Sequence, residues 1–147
     1  MTCKKIKGFT LIELVVVVFV VALLLTFTVP GYQEQLRKTR RSLGGTELLE
    51  VMMRQEQFFV DHKRYAVDLT ELDYPATPYA IDPQGSAVTA VAGNRIYLID
   101  ITTQQNSYTL YAIPQLSQAL DYSCGTLSLD SSGIKLAMGT SAAQDCW

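Results

Sequence analysis

The sequence predicts an α+β chain in which one long N-terminal helix is laid across an antiparallel sheet of about four strands. Three observations predict it. Residues 14–25, LVVVVFVVALLL, form an unbroken hydrocarbon run near the start of the chain. Helical spacing of apolar side chains continues to about residue 61. Beyond a stretch rich in Pro and Gly, short β-branched and aromatic runs then come in two pairs. With 147 residues in all, the chain has room for one membrane-length helix and one small globular domain.

The first element is the apolar segment. Residues 9–29 number 21 and, at about 1.5 Å per helical residue, span the roughly 30 Å core of a bilayer. A secretory signal has a shorter apolar core followed by a small-residue cleavage site; this run is too long and no A-x-A pattern follows it. A transmembrane helix is the reading. Lys4, Lys5 and Lys7 precede it, whereas Arg37, Lys38, Arg40 and Arg41 follow, so the positive-inside rule does not choose between the two topologies. The formal charge of −2 hides this clustering: without the three leading lysines, nine Lys and Arg face fourteen Asp and Glu, a balance of −5. Composition thus gives no case for nucleic-acid binding. Glu13 sits inside the hydrocarbon, where a carboxylate costs about 2.5–3.5 kcal/mol on the insertion scale. It either snorkels or is protonated, or it pairs with a cation from another chain.

The stretch KKIKGFTLIELVVVV resembles the prepilin signature of type IV pilins and pseudopilins: a short basic leader ending in glycine, then phenylalanine, with a glutamate five residues after the glycine. The resemblance implies that a prepilin peptidase cuts between Gly8 and Phe9 and methylates the new Phe9 amine. It also implies that the leader faces the cytoplasm and that the inner-membrane pilus assembly machinery takes up the exported chain. Pro30 resembles the helix proline common in pilins and is expected to kink the helix. The pieces RQEQFF, YTLYAIPQ, CGTLSLDSSGIK and DCW are similar to minor pilins of the PilE kind. The expected fold is therefore the pilin fold. Its parts are a leader over 1–8, a transmembrane and assembly helix over 9–29, an amphipathic helix half over 30–62 and an exported β domain over 63–147. The physics of the motif is independent of the family. Cleavage creates an α-amine at Phe9, cationic near pH 7. Among apolar helices, Glu13 of a neighbour stabilises it far more than water would.

Past Pro30 and Gly31 the helical pattern resumes. Tyr32, Leu36, Leu43, Leu48, Leu49, Met52, Met53, Phe59 and Val60 form a broad stripe expected to dock on the sheet. Glu47, Glu50, Arg54 and Gln57 take much of the other surface. Gly44 and Gly45 lower helix propensity by about 1 kcal/mol each, so a bend is expected there. Residues 63–94 read as a long connection with a helical turn near 68–72. Strands are expected at 95–102, 108–114, 126–130 and 134–137, the last two joined by the turn Ser131, Ser132 and Gly133. Neither pair leaves room for a crossover helix, so the sheet is expected to be antiparallel.

Three cysteines remain. Cys3 lies in the leader; Cys124 and Cys146 bracket the last hairpin and tail. In an intracellular protein they would be inert thiols; an exported domain favours a disulfide. The pilin resemblance implies the pairing Cys124–Cys146, which would close a loop of about 22 residues and contribute roughly 3 kcal/mol in the chain-entropy model.

No catalytic or cofactor chemistry is expected. The sole histidine, His62, ends the long helix beside Lys63 and Arg64. HExxH, GxSxG, CxxC and Gly-rich phosphate loops are absent, and Asp100, Asp121 and Asp130 are scattered, so no metal is expected. The basic run at 38–41 reads as a solvated helix face. The expected function is a structural minor pilin of a type IV pilus, packed helix to helix with other pilin subunits. A major pilin, a type II secretion pseudopilin and a pilus-displayed DNA- or surface-binding subunit are the alternatives. An exposed basic–aromatic patch would favour the last.

Overall fold

The computed structural model describes residues 9–147, except for the side chains of residues 27–30. The expected leader, with Gly8, lies outside the described residues. The chain divides into two compact units, Met1–Leu36 and Arg37–Trp147, and helix α1, Leu11–His62, contributes to both.

In the first unit every side chain described from Phe9 to Thr26 is exposed, large apolar ones included. Lipid imposes helix here even on the valines, which are weak helix formers in water, because a helix pairs its interior backbone groups within the segment. The helix starts with a capping box: Glu13 N–H donates to Thr10 Oγ1 at 3.3 Å, and Thr10 N–H donates to Glu13 Oε2 at 3.5 Å. Helical assignment passes through positions 30 and 31. The Pro30 side chain falls outside the described residues, and its kink stays an expectation.

The second unit packs the later part of α1 on one sheet. Strands β1 (Tyr79–Ile81), β2 (Ala87–Val88), β3 (Tyr97–Gln104), β4 (Ser107–Pro114), β5 (Leu127–Asp130) and β6 (Lys135–Ala137) lie in the order β2-β1-β3-β4-β5-β6, every pair antiparallel. The central hairpin pairs Tyr97 with Pro114 through to Gln104 with Ser107. Strand periodicity of two puts Tyr97, Ile99 and Ile101 on the same face as Tyr108, Leu110, Ala112, Leu127 and Leu129. All are buried, in one core with Leu48 and Val51 of α1.

The sheet thus has six strands where about four are expected. The two extra ones, three and two residues long, fall in the stretch read as connection and are too short to show alternation. The expected turn near 68–72 is a 3₁₀ turn, Leu69–Leu72, whose N-cap Asp68 accepts from Thr70 N–H. The docking stripe needs correction as well. Leu48 is buried and Leu43 and Met52 are partly so, but Leu49, Met53, Phe59 and Val60 are exposed. The stripe is wider than the sheet beneath it, and its outer half faces away. Glu47, Glu50 and Arg54 are only half exposed, because the 3₁₀ turn and β1 pack beside them.

Gly44 and Gly45 serve close approach. A Cβ on Gly44 would sit 3.1 Å from the Tyr97 ring, and one on Gly45 would sit 3.5 Å from the Trp147 ring. The two rings lie against bare helix backbone.

Candidate functional site

Three places on the chain carry polar chemistry that the fold must accommodate. The first is the N-terminal turn, where Glu13 is the acidic residue of the first turn of α1. Its carboxylate reaches back to the Thr10 N–H, one residue from the Phe9 nitrogen. Sequence reasoning singled out Glu13 and missed Thr10, although T-x-x-E before an apolar run is a readable capping box.

The second is a buried ion pair. Arg41 donates from Nε to Asp121 Oδ2 at 2.9 Å and from Nη2 to Asp121 Oδ1 at 2.8 Å, a two-bond fork. The two side chains are 8% and 2% exposed. Gln118, fully buried, donates from Nε2 toward Asp121 Oδ2, the Tyr97 hydroxyl and the Arg37 carbonyl at 3.2–3.3 Å. Burial pushes the Tyr97 phenol up to about 12. The basic run is therefore not a solvated face throughout: Arg41 is buried, and Arg40 donates to Ser117 Oγ at 2.9 Å. The 3₁₀ turn Leu116–Leu120 supplies Ser117 and Gln118, and Asp121 is its C-cap. No local pattern links an arginine to an aspartate 80 residues away.

A related polar contact lies under β1, where the Tyr79 hydroxyl donates to Glu47 Oε1. Burial pushes the Glu47 carboxyl above its ordinary value, the Tyr79 hydrogen bond pulls it back, and the nearby Glu50 charge raises it further.

The third place is a cleft of about 420 Å³ lined by Lys38, Arg41 and Leu49 of α1, with Lys135, Trp147 and the exposed carboxylate of Asp145 among the residues opposite. Lys135 Nζ lies 5.1 Å from the Trp147 ring centre, and Trp147 Nε1 donates to the Leu136 carbonyl at 3.0 Å. Lys38 and Lys135 are both exposed. This is a basic–aromatic surface of the sort named above as favouring a binding subunit. The cleft depends on the tail. Cys124 and Cys146 form a disulfide, and Trp147 follows Cys146 directly.

His62 sits exposed at the end of α1. Its Nδ1 lies 3.1 Å from the Phe58 carbonyl and its ring stacks on Phe58 with centroids 4.0 Å apart, a helix-terminal arrangement.

Comparison with known proteins places this geometry. Residues 30–128 match the family model described as "Type IV minor pilin ComP, DNA uptake sequence receptor". Residues 3–29 match the "Prokaryotic N-terminal methylation motif". Over 88 residues, 60% of this chain, the sequence is 30% identical to the type IV major pilin protein PilA of Myxococcus xanthus (strain DK1622). That match spans only 39% of the relative's length. The fold is similar to that of a type IV pilin from Shewanella oneidensis solved at high resolution. The TM-score is 0.51 and the identity 20%, over 76% of this chain and 97% of the other. A membrane-length apolar helix behind a methylation motif, joined to a disulfide-bonded helix-on-sheet domain, is the build of a subunit anchored in the membrane and then assembled with other pilins into a surface pilus. The chain belongs to the type IV pilins, in the minor-pilin family whose model it matches over residues 30–128.

Proposed function

We propose that this minor pilin enters the filament as a structural subunit with no catalytic centre of its own. The peptidase cuts between Gly8 and Phe9 and methylates Phe9, and the inner-membrane assembly machinery inserts the mature chain beside other pilins. There Glu13 becomes the counter-charge of a neighbour's Phe9 amine, and the kink at Pro30 adapts the helix to its neighbours. Pilus biogenesis, motility and adhesion are the processes it serves. The observation that supports this most is the first unit: from Phe9 to Thr26 the helix exposes hydrocarbon on all sides, with Glu13 the one carboxylate in it.

The capping box gives Glu13 a local task as well, and substitution separates the two. Glu13→Gln keeps a side chain able to cap but carries no charge; Glu13→Leu loses both; Thr10→Ala weakens the cap alone. Membrane level and pilus-incorporated level are compared for each. Removing one partner of a buried ion pair costs about 3–5 kcal/mol, so both Glu13 variants should be inserted in the membrane yet nearly absent from pili, with Thr10→Ala incorporated. Wild-type incorporation of Glu13→Gln would defeat the counter-charge role.

A second reading, reception of DNA on the pilus, is favoured by the Lys38, Lys135 and Trp147 surface and by the family's description as a DNA uptake sequence receptor. Two ammoniums suit backbone phosphates, although Asp145 in the same cleft and the balance of −5 work against general attraction. Fluorescence anisotropy of a labelled duplex with the mature chain in detergent, over a salt series, tests it. Lys38→Ala and Lys135→Ala should each weaken binding and flatten the log–log salt slope by about 0.9. Slopes unchanged in both variants would remove the cleft from DNA binding.

A further inference from the structure

The cleft is only as permanent as the segment that carries Trp147. Up to Ser141 the tail is tied by backbone hydrogen bonds to the stretch before β5: Thr140 N–H to the Tyr122 carbonyl at 3.2 Å and Ser141 N–H to the Ser123 carbonyl at 2.8 Å. Beyond it the backbone bonds turn inward, Asp145 N–H to the Ala142 carbonyl and Cys146 N–H to the Ala143 carbonyl, both 3.0 Å. What then holds the last residues against the domain is the Cys124–Cys146 bond and the seat of Trp147. That seat is one hydrogen bond to Leu136, an exposed lysine over the ring, the bare backbone at Gly45 and a partly buried contact with the core. A single hydrogen bond contributes little net free energy and an exposed cation–π contact is weak. Ordering a chain end opposes them residue by residue. Both sulfur-bearing residues are buried, Cys124 at 1% and Cys146 at 4% exposure, so the covalent tie is anchored in the core, while the lysines it faces are at the surface.

We propose that the Cys124–Cys146 disulfide builds the basic–aromatic cleft, which makes the cleft a redox-conditional site for the phosphate backbone of DNA. With the bond closed, Trp147 lies against α1 at Gly45, beneath Lys135, and lines one cleft with Lys38. When a dithiol donates two electrons and two protons to the S–S bond, two thiols form and the donor becomes a disulfide. The tail beyond Ser141 is then released, and the aromatic wall of the cleft leaves. The pairing of the sheet does not run through this bond, because β3, β4 and β5 bond directly to one another and the tail adds to their core only Cys146 and the partly buried Trp147. The ligand class rests on the DNA reading above; the gating does not.

Trp147 is the only tryptophan of the chain, so its emission has one source. The experiment uses the mature chain in detergent, oxidised or reduced with a phosphine, with thiol content counted by alkylation and mass. Emission maximum, acrylamide quenching, far-UV circular dichroism and anisotropy of a labelled DNA duplex are read on the same samples, and Cys146→Ser repeats the reduced state genetically. Reduction should shift emission to the red, at least double the quenching constant and leave the dichroism of the sheet unchanged. Duplex binding should fall to the level of Lys135→Ala or below. Unchanged emission and quenching in fully reduced protein would overturn the proposal. So would loss of the sheet signal together with the shift, since the bond would then hold the whole domain and gate nothing. Released tryptophan in a chain that binds no duplex when oxidised would confirm the gating and refute the DNA reading.

Discussion

Replacing Arg41 by Met removes one half of the ion pair that joins α1 to the turn before β5. The arginine fork supplies both short contacts to Asp121, at 2.8 and 2.9 Å. After the change the Asp121 side chain, 2% exposed, keeps only the Gln118 amide at 3.3 Å. Leaving a buried carboxylate without its cation costs about 3–5 kcal/mol. For a domain near 100 residues each kcal/mol is worth about 4–8 °C in Tm, so the midpoint should fall by about 12 °C or more. Apolar replacement of both partners, Arg41→Met with Asp121→Leu, removes the uncompensated charge and should recover most of the loss. The assay is thermal and guanidinium unfolding of the mature chain in detergent, followed by Trp147 emission and far-UV dichroism, for wild type, both single variants and the double. The coupling energy isolates the pair from Arg41's other contacts. A single Arg41→Met variant within about 1 kcal/mol of wild type, or a double variant as unstable as the sum of the singles, would refute the claim that this pair holds the helix to the domain.

Three further outcomes are expected. Gly8→Leu should block processing, read by mass spectrometry as retention of residues 1–8 and an unmethylated Phe9. Glu47→Gln should flatten the pH dependence of stability just above the usual carboxylate range: burial raises the folded Glu47 above its unfolded value, so the folded state binds more protons there and stability falls as pH rises through that window. Denaturant midpoints of wild type and Glu47→Gln that run parallel through that window would contradict it. Gly139→Ala should destabilise the domain by about 1–3 kcal/mol, because a Cβ there runs into the Ser123 carbonyl beside Cys124; a thermal midpoint equal to wild type would show that this backbone yields freely.

The sequence carried the parts of the fold that are local and periodic. The expected helix from about 9 to about 61 is Leu11–His62. The expected strands at 95–102, 108–114, 126–130 and 134–137 are displaced by at most two residues at either end. They were legible because β-branched and aromatic runs flanked by turn residues are local signals. What was not legible depends on distant partners. Arg41 reads as one more charge in a basic run until the turn 80 residues later delivers Asp121. Gly44 and Gly45 read as weak points of a helix until two aromatic rings, one from β3 and one from the tail, lie on them. Gln55, which no sequence pattern singles out, is fully buried, donating to the Ala66 carbonyl and accepting from the Ala66 N–H at 2.9 Å each. Helix propensity cannot announce a contact that satisfies backbone groups elsewhere in the chain.

The two units meet different solvents, and that difference orders the protein's life. The second unit closes its own core with Leu48, Val51 and the inward faces of β3, β4 and β5, so it can stand in water. The first cannot. An amphipathic surface helix has a polar face, but from Phe9 to Thr26 every described side chain is exposed, and the hydrocarbon runs around the whole circumference. Two media suit such a surface: lipid and other helices of the same kind. Apolar packing alone chooses weakly between them, because lipid tails are as apolar as leucine. A charge chooses strongly. Glu13 is costly in lipid, and on the proposed assembly its cost is offset where a neighbour's Phe9 amine lies alongside. The same residue also closes the first turn of its own helix, so it is held in place before the neighbour arrives. Assembly on this account is driven less by hydrocarbon, which both media satisfy, than by one carboxylate that only the filament satisfies.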